Sequence, residues 1–350
     1  MISLYESKGR KEWVDLGKGI SILLVGLFHC EEYLPIVDTG TKEIFSFFRM
    51  PFFFFLSGYV FTSDYREFSF GKKLKQIFRG IVWTYLIIST IIVVPKYLSN
   101  SEPVIYGFKS ILLGWATWFV VSLGVAQLIF ASVLNATKNL KYIGLFLFLS
   151  VGIGIFIKSI TSETLPYQLD KVFFVVFFFG MGFFYRIYED KFKNFISWRN
   201  LIVSVFLYGS LMMVESLFFK HSTTNVFWGQ ELLEFNLNNF PMFMIYTICG
   251  IIMMLLLVNK LYVKHLNLIC YIGANSLLFY YLNGGVIKFW RFLHEKLVSY
   301  FPINNIIGFV SVFIFVAATL FLIVYLVKKH CPILVGDKKA FNHYFPKFNW

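Results

Sequence analysis

Residues 15–30 read D-L-G-K-G-I-S-I-L-L-V-G-L-F-H-C, an apolar stretch that carries ionisable side chains. Such side chains are costly inside a bilayer, so each one is a candidate for function. At about 100° per residue, Asp15, Lys18 and His29 share one face of a helix, with Lys18 and His29 about 20° apart. Along the helix axis these two residues lie roughly 16 Å apart. The stretch therefore predicts a first membrane helix that joins a cation near one surface to an imidazole near mid-membrane.

Small residues on the same face extend this prediction. Gly19 and Gly26 have no Cβ, so they let another group approach the helix backbone closely. The sequence therefore predicts a narrow groove from Lys18 to His29. Two ordinary alternatives remain open: Lys18 can pair with Asp15 and extend to the membrane interface, and His29 can be a packing residue. Neither alternative explains why the three ionisable residues share a face.

The composition is that of a membrane protein with several spans. Of the 350 residues, 58% are hydrophobic and 15% are charged, and the mean hydropathy is +0.69. The predicted fold class is an all-α, polytopic transmembrane helical bundle. The formal net charge of +13 indicates orientation in a membrane rather than nucleic-acid binding. The four cysteines form no C-x-x-C motif, so neither a disulfide framework nor a metal site is expected.

Ten segments are apolar enough to be predicted as spans, all within a single transmembrane domain over residues 1–350. With the N-terminus inside, the loops on the inner side and the span ends beside them carry 21 of the 32 Lys and Arg residues. Positive residues favour the cytoplasmic side, so both termini are predicted to be cytoplasmic, with a short tail at about 328–350. The predicted spans are 14–34, 44–62, 77–98, 115–135, 142–158, 169–188, 199–219, 241–259, 268–290 and 305–327.

The second span, S-F-F-R-M-P-F-F-F-F-L-S-G-Y-V-F at 46–61, carries a cation and a proline. Pro51 removes a backbone donor and is predicted to kink the helix. Arg49 lies beside that kink as a buried or half-buried cation and can satisfy the freed carbonyl. Ser57 and Gly58 provide a small face for close helix packing.

A basic, amphipathic stretch precedes the third span. It holds Lys72, Lys73 and Lys75, and Arg79 follows. This stretch is predicted to lie on the cytoplasmic face. The ordinary alternative is that its cations only anchor the protein to anionic lipid headgroups.

Several of these motifs together resemble one family. The D-x-x-K-G-I of residues 15–20 followed by His29, and the R-M-P-F-F-F-F-L-S-G-Y of residues 49–59, look like the opening signatures of the acyltransferase family 3 membrane proteins. The resemblance extends to that family's fucose 4-O-acetylase-like sugar O-acetyltransferases. Looser matches follow in the family's order at Phe78-Arg79, Trp118-Phe119 and Y-I-G-A-N-S-L (271–277) with Tyr280.

The chain departs from the family pattern at two positions. Many members have a histidine where Arg49 stands. Many also end the late motif, which is Y-I-G-A-N-S-L (271–277) with Tyr280 in this chain, with a histidine where this chain has Asn283. A proton role at these two positions is therefore not carried over to this chain. His29 itself is intact.

The resemblance implies a multi-pass enzyme of a bacterial plasma membrane, in contact with membrane lipids, that moves an acetyl or similar short acyl group. The donor substrate would be cytosolic acyl-coenzyme A, such as acetyl-CoA. The acceptor would be a hydroxyl of a sugar, glycan or lipid-linked saccharide of the cell envelope. No permanently bound cofactor, no metal and no nucleic-acid partner are expected.

The residues above suit this chemistry. A neutral imidazole at His29, the predicted catalytic residue, can take a proton from the acceptor hydroxyl or carry the acyl group itself. The sequence does not choose between these two roles. Cations at the inner surface can bind the phosphates of coenzyme A. The predicted donor-binding residues are Lys18, Arg79, Lys72 and Lys73, and the predicted supporting residues are Asp15, Arg49, Ser57, Trp118, Asn275 and Ser276.

Two other functions fit a polytopic protein with buried ionisable groups. A transporter or flippase of glycan intermediates would be expected to show internal repeats or paired broken helices, and the sequence shows neither. A polyprenyl-phosphate-dependent glycosyltransferase could use Glu31 and Glu32 at the outer end of the first span, although polar residues are ordinary at an interface. That function also does not explain why Lys18 and His29 share one face of the first helix.

Overall fold

The computed structural model describes residues 11–33, 41–99, 103–161, 163–218, 240–261, 266–300 and 304–346, and the regular structure in these ranges is all helical. The all-α prediction is therefore confirmed for this part of the chain. The α-helices are α1 (Glu12–Tyr33), α2 (Thr41–Tyr59), α3 (Phe70–Ile77), α4 (Trp83–Ser99), α5 (Val104–Leu112), α6 (Trp118–Ala136), α7 (Leu140–Ile160), α8 (Leu169–Phe192), α9 (Trp198–Phe218), α10 (Phe240–Lys260), α11 (Asn267–Ala274), α12 (Ser276–Tyr300), α13 (Asn305–His330) and α14 (Lys338–Tyr344).

Within the described residues, seven helical segments are long and apolar enough to cross a membrane. They coincide with seven of the predicted spans, and two shorter apolar helices, Ile44–Tyr59 and Trp198–Val214, coincide with two more. The number of spans and the side of the termini stay predictions. The seven segments are Glu12–Glu31, Phe70–Leu98, Trp118–Ala136, Leu140–Ile160, Pro166–Phe195, Phe240–Lys260 and Asn305–His330.

The segment predicted as one span over 268–290 is divided between α11 and α12 at Asn275. The side-chain amide of Asn275 donates to the Tyr271 carbonyl at 2.8 Å. The backbone carbonyl of Asn275 accepts from the Leu278 N–H at 3.0 Å. A short polar side chain that bonds to nearby backbone favours such a break in a helix. The predicted span 268–290 is therefore made of two helices, α11 and α12, and its crossing of the membrane stays a prediction.

The chain divides into two compact units. The first unit comprises Met1–Leu56 and Ile187–Val324, and the second comprises Ser57–Arg186 and Tyr325–Trp350. The prediction of one transmembrane domain over residues 1–350 stays a prediction.

In the first unit, α1 packs against α10, α11 and α12. The contact between α1 and α11 is close because glycines meet the opposite backbone on both sides. A Cβ added at Gly19 would clash with the Ile269 carbonyl, and one added at Gly273 would clash with the Asp15 carbonyl. Two helices can approach so closely only where the side chain is absent. This contact fixes α1, with its ionisable side chains, against the late motif.

Aromatic side chains hold α2 in the first unit. The Phe47 ring lies 4.9 Å from the Tyr246 ring of α10, centroid to centroid, and the Thr247 hydroxyl donates to the Phe47 carbonyl at 3.0 Å. The helix continues through Pro51 to Tyr59. The missing N–H of the proline therefore does not end α2.

In the second unit, α3 and α4 are joined by a π-helix, Phe78–Val82. The end of the chain folds over this π-helix. Trp83 donates through Nε1 to the Ile333 carbonyl at 2.9 Å and packs edge-on against Phe341 at 5.2 Å. Gly336 has a φ of +67° and lies so close to the Arg79 carbonyl that a Cβ would clash. The predicted tail is thus a packed element as far as the structure describes it, to residue 346.

A buried polar network ties the start of α8 to the loop before α6, also in the second unit. The Lys171 ammonium lies 2.7 Å from the Asp170 carboxylate, and both side chains are buried. The Gln168 amide donates to the Gly114 carbonyl at 3.0 Å and its oxygen accepts from Lys171 at 3.3 Å. Tyr167 and Gln168 both have positive φ values, +57° and +61°. Non-glycine residues hold this backbone only where the surroundings impose it, so the network stabilises a strained turn.

Candidate active site

Lys18 lies between two glycines, Gly17 and Gly19, and each glycine packs against a different helix. A Cβ on Gly17 would lie 2.7 Å from a methyl carbon of Leu56 on α2, whereas a Cβ on Gly19 would clash with a carbonyl of α11. The two glycines point about 200° apart on the helix. Consequently α2 and α11 flank the strip of α1 that carries Lys18. The ammonium of Lys18 lies 5.3 Å from the centroid of the Phe53 ring, within cation–π distance.

The groove predicted along the small residues of α1 is not open at Gly19, because α11 occupies that position. Gly19 and Ile22 are buried, whereas Lys18 and His29 are each half-buried. The prediction of an open groove is therefore wrong at this end of the helix. The physical reason is that a glycine on a helix face accommodates a neighbouring backbone as readily as a ligand.

Both His29 and Arg49 contact the ring of Phe28. The His29 ring meets the Phe28 ring edge-on, with centroids 5.2 Å apart and planes at 70°. The guanidinium carbon of Arg49 lies 3.8 Å from the centroid of the Phe28 ring. Arg49 is only 3% exposed, and stacking on an aromatic face is one way to accommodate a buried guanidinium. The structure thus brings Arg49 and His29 to the same phenylalanine.

The late motif lies beside the first turns of α1. Asp15 is buried, and its carbonyl faces Gly273, two residues before Asn275. Ser276 is buried at the first position of α12. The side chain of Asn275 bonds to the backbone of its own helix, so its described contact is structural. The predicted supporting residues Asp15, Asn275 and Ser276 therefore belong to one neighbourhood at the α1–α11 contact.

The remaining predicted residues belong to the second unit. Ser57 is buried, and a Cβ on the adjacent Gly58 would clash with the Phe179 carbonyl of α8, which confirms the small face expected there. Trp118 begins α6 and lies half-buried, with its ring 6.1 Å from the Phe119 ring. These contacts explain how the side chains are held.

The basic residues before α4 differ in their surroundings. The Lys73 ammonium donates to the Phe61 carbonyl and lies 4.0 Å over the Phe61 ring, whereas Lys72 is exposed. Arg79 sits in the π-helix and is half-buried, and among the described residues its Nε has no hydrogen-bond partner. The Asp337 carboxylate of the tail interacts electrostatically with Arg79. Short π-helical turns occur frequently at functional sites.

Sequence reasoning missed two contributors to these sites. Phe28 joins Arg49 to His29, but nothing in its apolar surroundings distinguishes it from the many other phenylalanines. Asp337 approaches Arg79 from a segment more than 250 residues away, which no local pattern reveals. Within the described residues, no group of three His, Cys, Asp or Glu side chains is placed to hold a metal ion.

These features define a class: an all-helical membrane protein in which an apolar helix carries a lysine and a histidine on one strip. The family comparison then identifies the chain. Residues 11–328 match the family model described as an acyltransferase domain, so the chain belongs to acyltransferase family 3 and is a membrane acyltransferase. No curated protein and no solved structure matches the chain.

Proposed function

We propose that this protein transfers an acetyl or similar short acyl group from cytosolic acyl-coenzyme A to a hydroxyl of a sugar, glycan or lipid-linked saccharide, in the manner of fucose 4-O-acetylase-like enzymes. The observation that carries the proposal is the half-buried imidazole of His29, held by Phe28 beside the buried cation of Arg49, in a chain of an acyltransferase family. Acyl transfer needs a group that moves a proton and a charge that stabilises the oxyanion.

Two routes through His29 are chemically complete. As a general base, the imidazole takes the proton of the acceptor hydroxyl while the hydroxyl oxygen attacks the thioester carbonyl. The carbon–sulfur bond then breaks, and the imidazolium returns the proton to the coenzyme A thiolate. As a nucleophile, the imidazole itself attacks the thioester, the carbon–sulfur bond breaks and the thiolate leaves. The acceptor hydroxyl then attacks the acyl-imidazole, the carbon–nitrogen bond breaks, and the hydroxyl proton passes to the coenzyme A thiolate.

Arg49 suits the electrostatic part of either route. Both routes place negative charge on the thioester oxygen, and a fixed guanidinium in a water-poor setting stabilises such charge more than it would in water. Its stack on Phe28 fixes the plane of the guanidinium. In this proposal Arg49 replaces, with a permanent cation, the histidine found at this position in many family members.

The donor phosphates are assigned to cations. Lys18 lies at the N-terminal end of the strip on α1, and Arg79 and Lys72 lie at the start of the α3–α4 segment. A guanidinium can bind a phosphate through two hydrogen bonds, and an ammonium binds it as a point charge. Lys73 bonds to the Phe61 carbonyl, so it would have to exchange that contact for a phosphate. We therefore assign the main phosphate contacts to the other three.

The test is a comparison of envelope glycans and lipid-linked saccharides from cells with and without this protein, by mass spectrometry. The proposal predicts that each acceptor repeat loses the mass of one acetyl or other short acyl group when the protein is absent. Re-expression of the wild-type chain should restore that mass, and expression of the His29→Ala chain should not.

Other outcomes would identify the two rival functions. Accumulation of an unchanged saccharide on one side of the membrane would indicate a transporter or flippase. Loss of a whole sugar would indicate a glycosyltransferase. Either result would contradict the proposal.

A further inference from the structure

The C-terminal segment of the chain lies directly on the backbone of Arg79. Gly336 is so close to this backbone that an added Cβ would clash with the Arg79 carbonyl and lie 3.3 Å from the Gly80 Cα. Consecutive Cα atoms are about 3.8 Å apart, so the next residue, Asp337, lies beside Arg79. Both segments belong to the second compact unit.

The carboxylate of Asp337 is held in place as the N-terminal cap of α14. Its Oδ1 atom accepts from the backbone N–H groups of Lys339 and Ala340 at 2.9 and 3.0 Å. The same carboxylate interacts electrostatically with Arg79, yet within the described residues no hydrogen bond or direct ion pair joins the two side chains. The carboxylate therefore acts on the guanidinium through its charge rather than through a bond that would orient it.

A fixed negative charge beside Arg79 opposes the binding of phosphate there. The guanidinium attracts a phosphate, but the carboxylate repels the same phosphate, so the two contributions have opposite signs. Asp337 is exposed, and the effect of an exposed charge is modest and decreases with salt. Lys338 and Lys339 are exposed as well, but an ammonium on a flexible four-carbon stem can turn toward solvent, whereas two bonds hold the carboxylate in one position.

We propose that Asp337 weakens the binding of donor phosphates at Arg79, so that the C-terminal segment sets the affinity of the enzyme for coenzyme A. This inference rests on the proposed function, which assigns Arg79 to those phosphates. The product, coenzyme A, carries the same phosphates as the donor, so phosphate contacts that are too strong would slow its release. A carboxylate beside the guanidinium limits the strength of these contacts.

The test compares two donors in purified protein: acetyl-coenzyme A, which has the phosphates, and S-acetylpantetheine, which has the same thioester arm without them. The acceptor is envelope glycan from cells that lack the protein. Asp337→Asn removes the charge but keeps a capping oxygen, since asparagine caps a helix as well as aspartate does. The ratio of kcat/KM for acetyl-coenzyme A to kcat/KM for S-acetylpantetheine should rise about 3-fold at low salt, as expected for an exposed charge. The rise should shrink as salt is added.

Two controls assign the effect to the charge beside Arg79. In an Arg79→Ala background, Asp337→Asn should leave the ratio unaltered, because the cation that the carboxylate opposes is gone. Asp64→Asn makes the same change in net charge at another exposed carboxylate, whose Oδ1 accepts from the Arg66 N–H at 2.8 Å, and it should keep the wild-type ratio. Both donors are assayed in one preparation, so any loss of folded protein cancels from the ratio.

The outcomes separate the inference from the proposed function. If the wild-type protein transfers acetyl from neither donor, the proposed function fails, and the inference that rests on it fails too. If transfer occurs but Asp337→Asn leaves the ratio unchanged, only the inference fails. A lower ratio in Asp337→Asn would show that the carboxylate orients Arg79 for the phosphates, and an equal rise in Asp64→Asn would show an effect of net charge alone. Either result would overturn the inference.

Discussion

The guanidinium carbon of Arg49 lies 3.8 Å from the centroid of the Phe28 ring. Because Phe28 also meets the His29 ring edge-on, the cation and the imidazole are held by one side chain. A desolvated cation–π contact is worth about 2 kcal/mol or more. The position of Arg49 relative to His29 therefore depends on the face of an aromatic ring that takes no part in the chemistry.

This relationship predicts that Arg49→Lys and Phe28→Leu each lower acyl transfer by about 10-fold, because each removes the stacked contact while keeping charge or apolar volume. The double variant should lose less than the two effects combined, since both changes break the same contact. Transfer rates on membranes with matched protein levels measure this. Phe206→Leu, a change at an exposed side chain of α9, is the control and should leave the rate unaltered. Additive losses would show that Arg49 and Phe28 act separately.

Donor binding should depend on two of the predicted cations. Lys18→Ala and Arg79→Ala are expected to weaken binding of coenzyme A, because each removes a positive charge assigned to its phosphates. Arg79→Lys should restore only part of the affinity if the contact is bidentate. The affinity differences should shrink as salt rises, since exposed charges are screened. If both alanine variants bind coenzyme A normally and are defective only in turnover, this prediction is contradicted, and Lys18 and Arg79 act in the chemical step instead.

The α1–α11 contact should tolerate no side chain at Gly273. In an exposed helix, Gly→Ala stabilises by about 1 kcal/mol. At Gly273 the new Cβ would clash with the Asp15 carbonyl, so the helices would have to separate. Gly273→Ala is therefore predicted to lower the Tm in detergent and to lower transfer. The matched control is Gly209→Ala in α9, where a Cβ meets nothing within 4 Å, and its Tm should stay equal or rise. An unchanged Tm for Gly273→Ala would contradict the packing described here.

Much of the fold could be predicted because length and apolar composition identify membrane helices in a sequence. The predicted span 142–158, for example, lies within the helix α7, Leu140–Ile160. The break at Asn275 could not be predicted in the same way, because hydropathy averages over a window in which one asparagine changes little. The π-helix at Phe78–Val82 leaves no apolar period that separates it from an α-helix.

The candidate site was predictable only where one helix carries it. The shared face of Lys18 and His29 follows from 100° per residue. The partner of Gly19, by contrast, is Ile269, some 250 residues later, and the sequence alone allows a ligand there equally well. The pairing of Arg49 with Phe28 also depends on how α1 and α2 pack, which neither segment encodes separately.

Orientation remains a prediction from the distribution of Lys and Arg, with both termini cytoplasmic. Reporter fusions after Lys260 and Trp350 should both report the cytoplasm, and one after Glu231 should report the opposite side. Matched expression of the three fusions is the control. A fusion after Trp350 that reports the outer side would contradict the ten-span arrangement and, with it, delivery of a cytosolic donor to the Lys18 end of α1.

The central claim is that the imidazole of His29 performs acyl transfer, and the most direct measurement is the transfer rate of purified, inserted His29→Ala protein. A positioned general base contributes about 10²–10⁴-fold, and a covalent carrier is indispensable. The account predicts normal insertion and coenzyme A binding with transfer lowered by at least about 10²-fold, whereas His330→Ala, at an exposed position of α13, keeps the wild-type rate. A well-inserted His29→Ala protein that acylates its glycan at close to the wild-type rate would contradict the account.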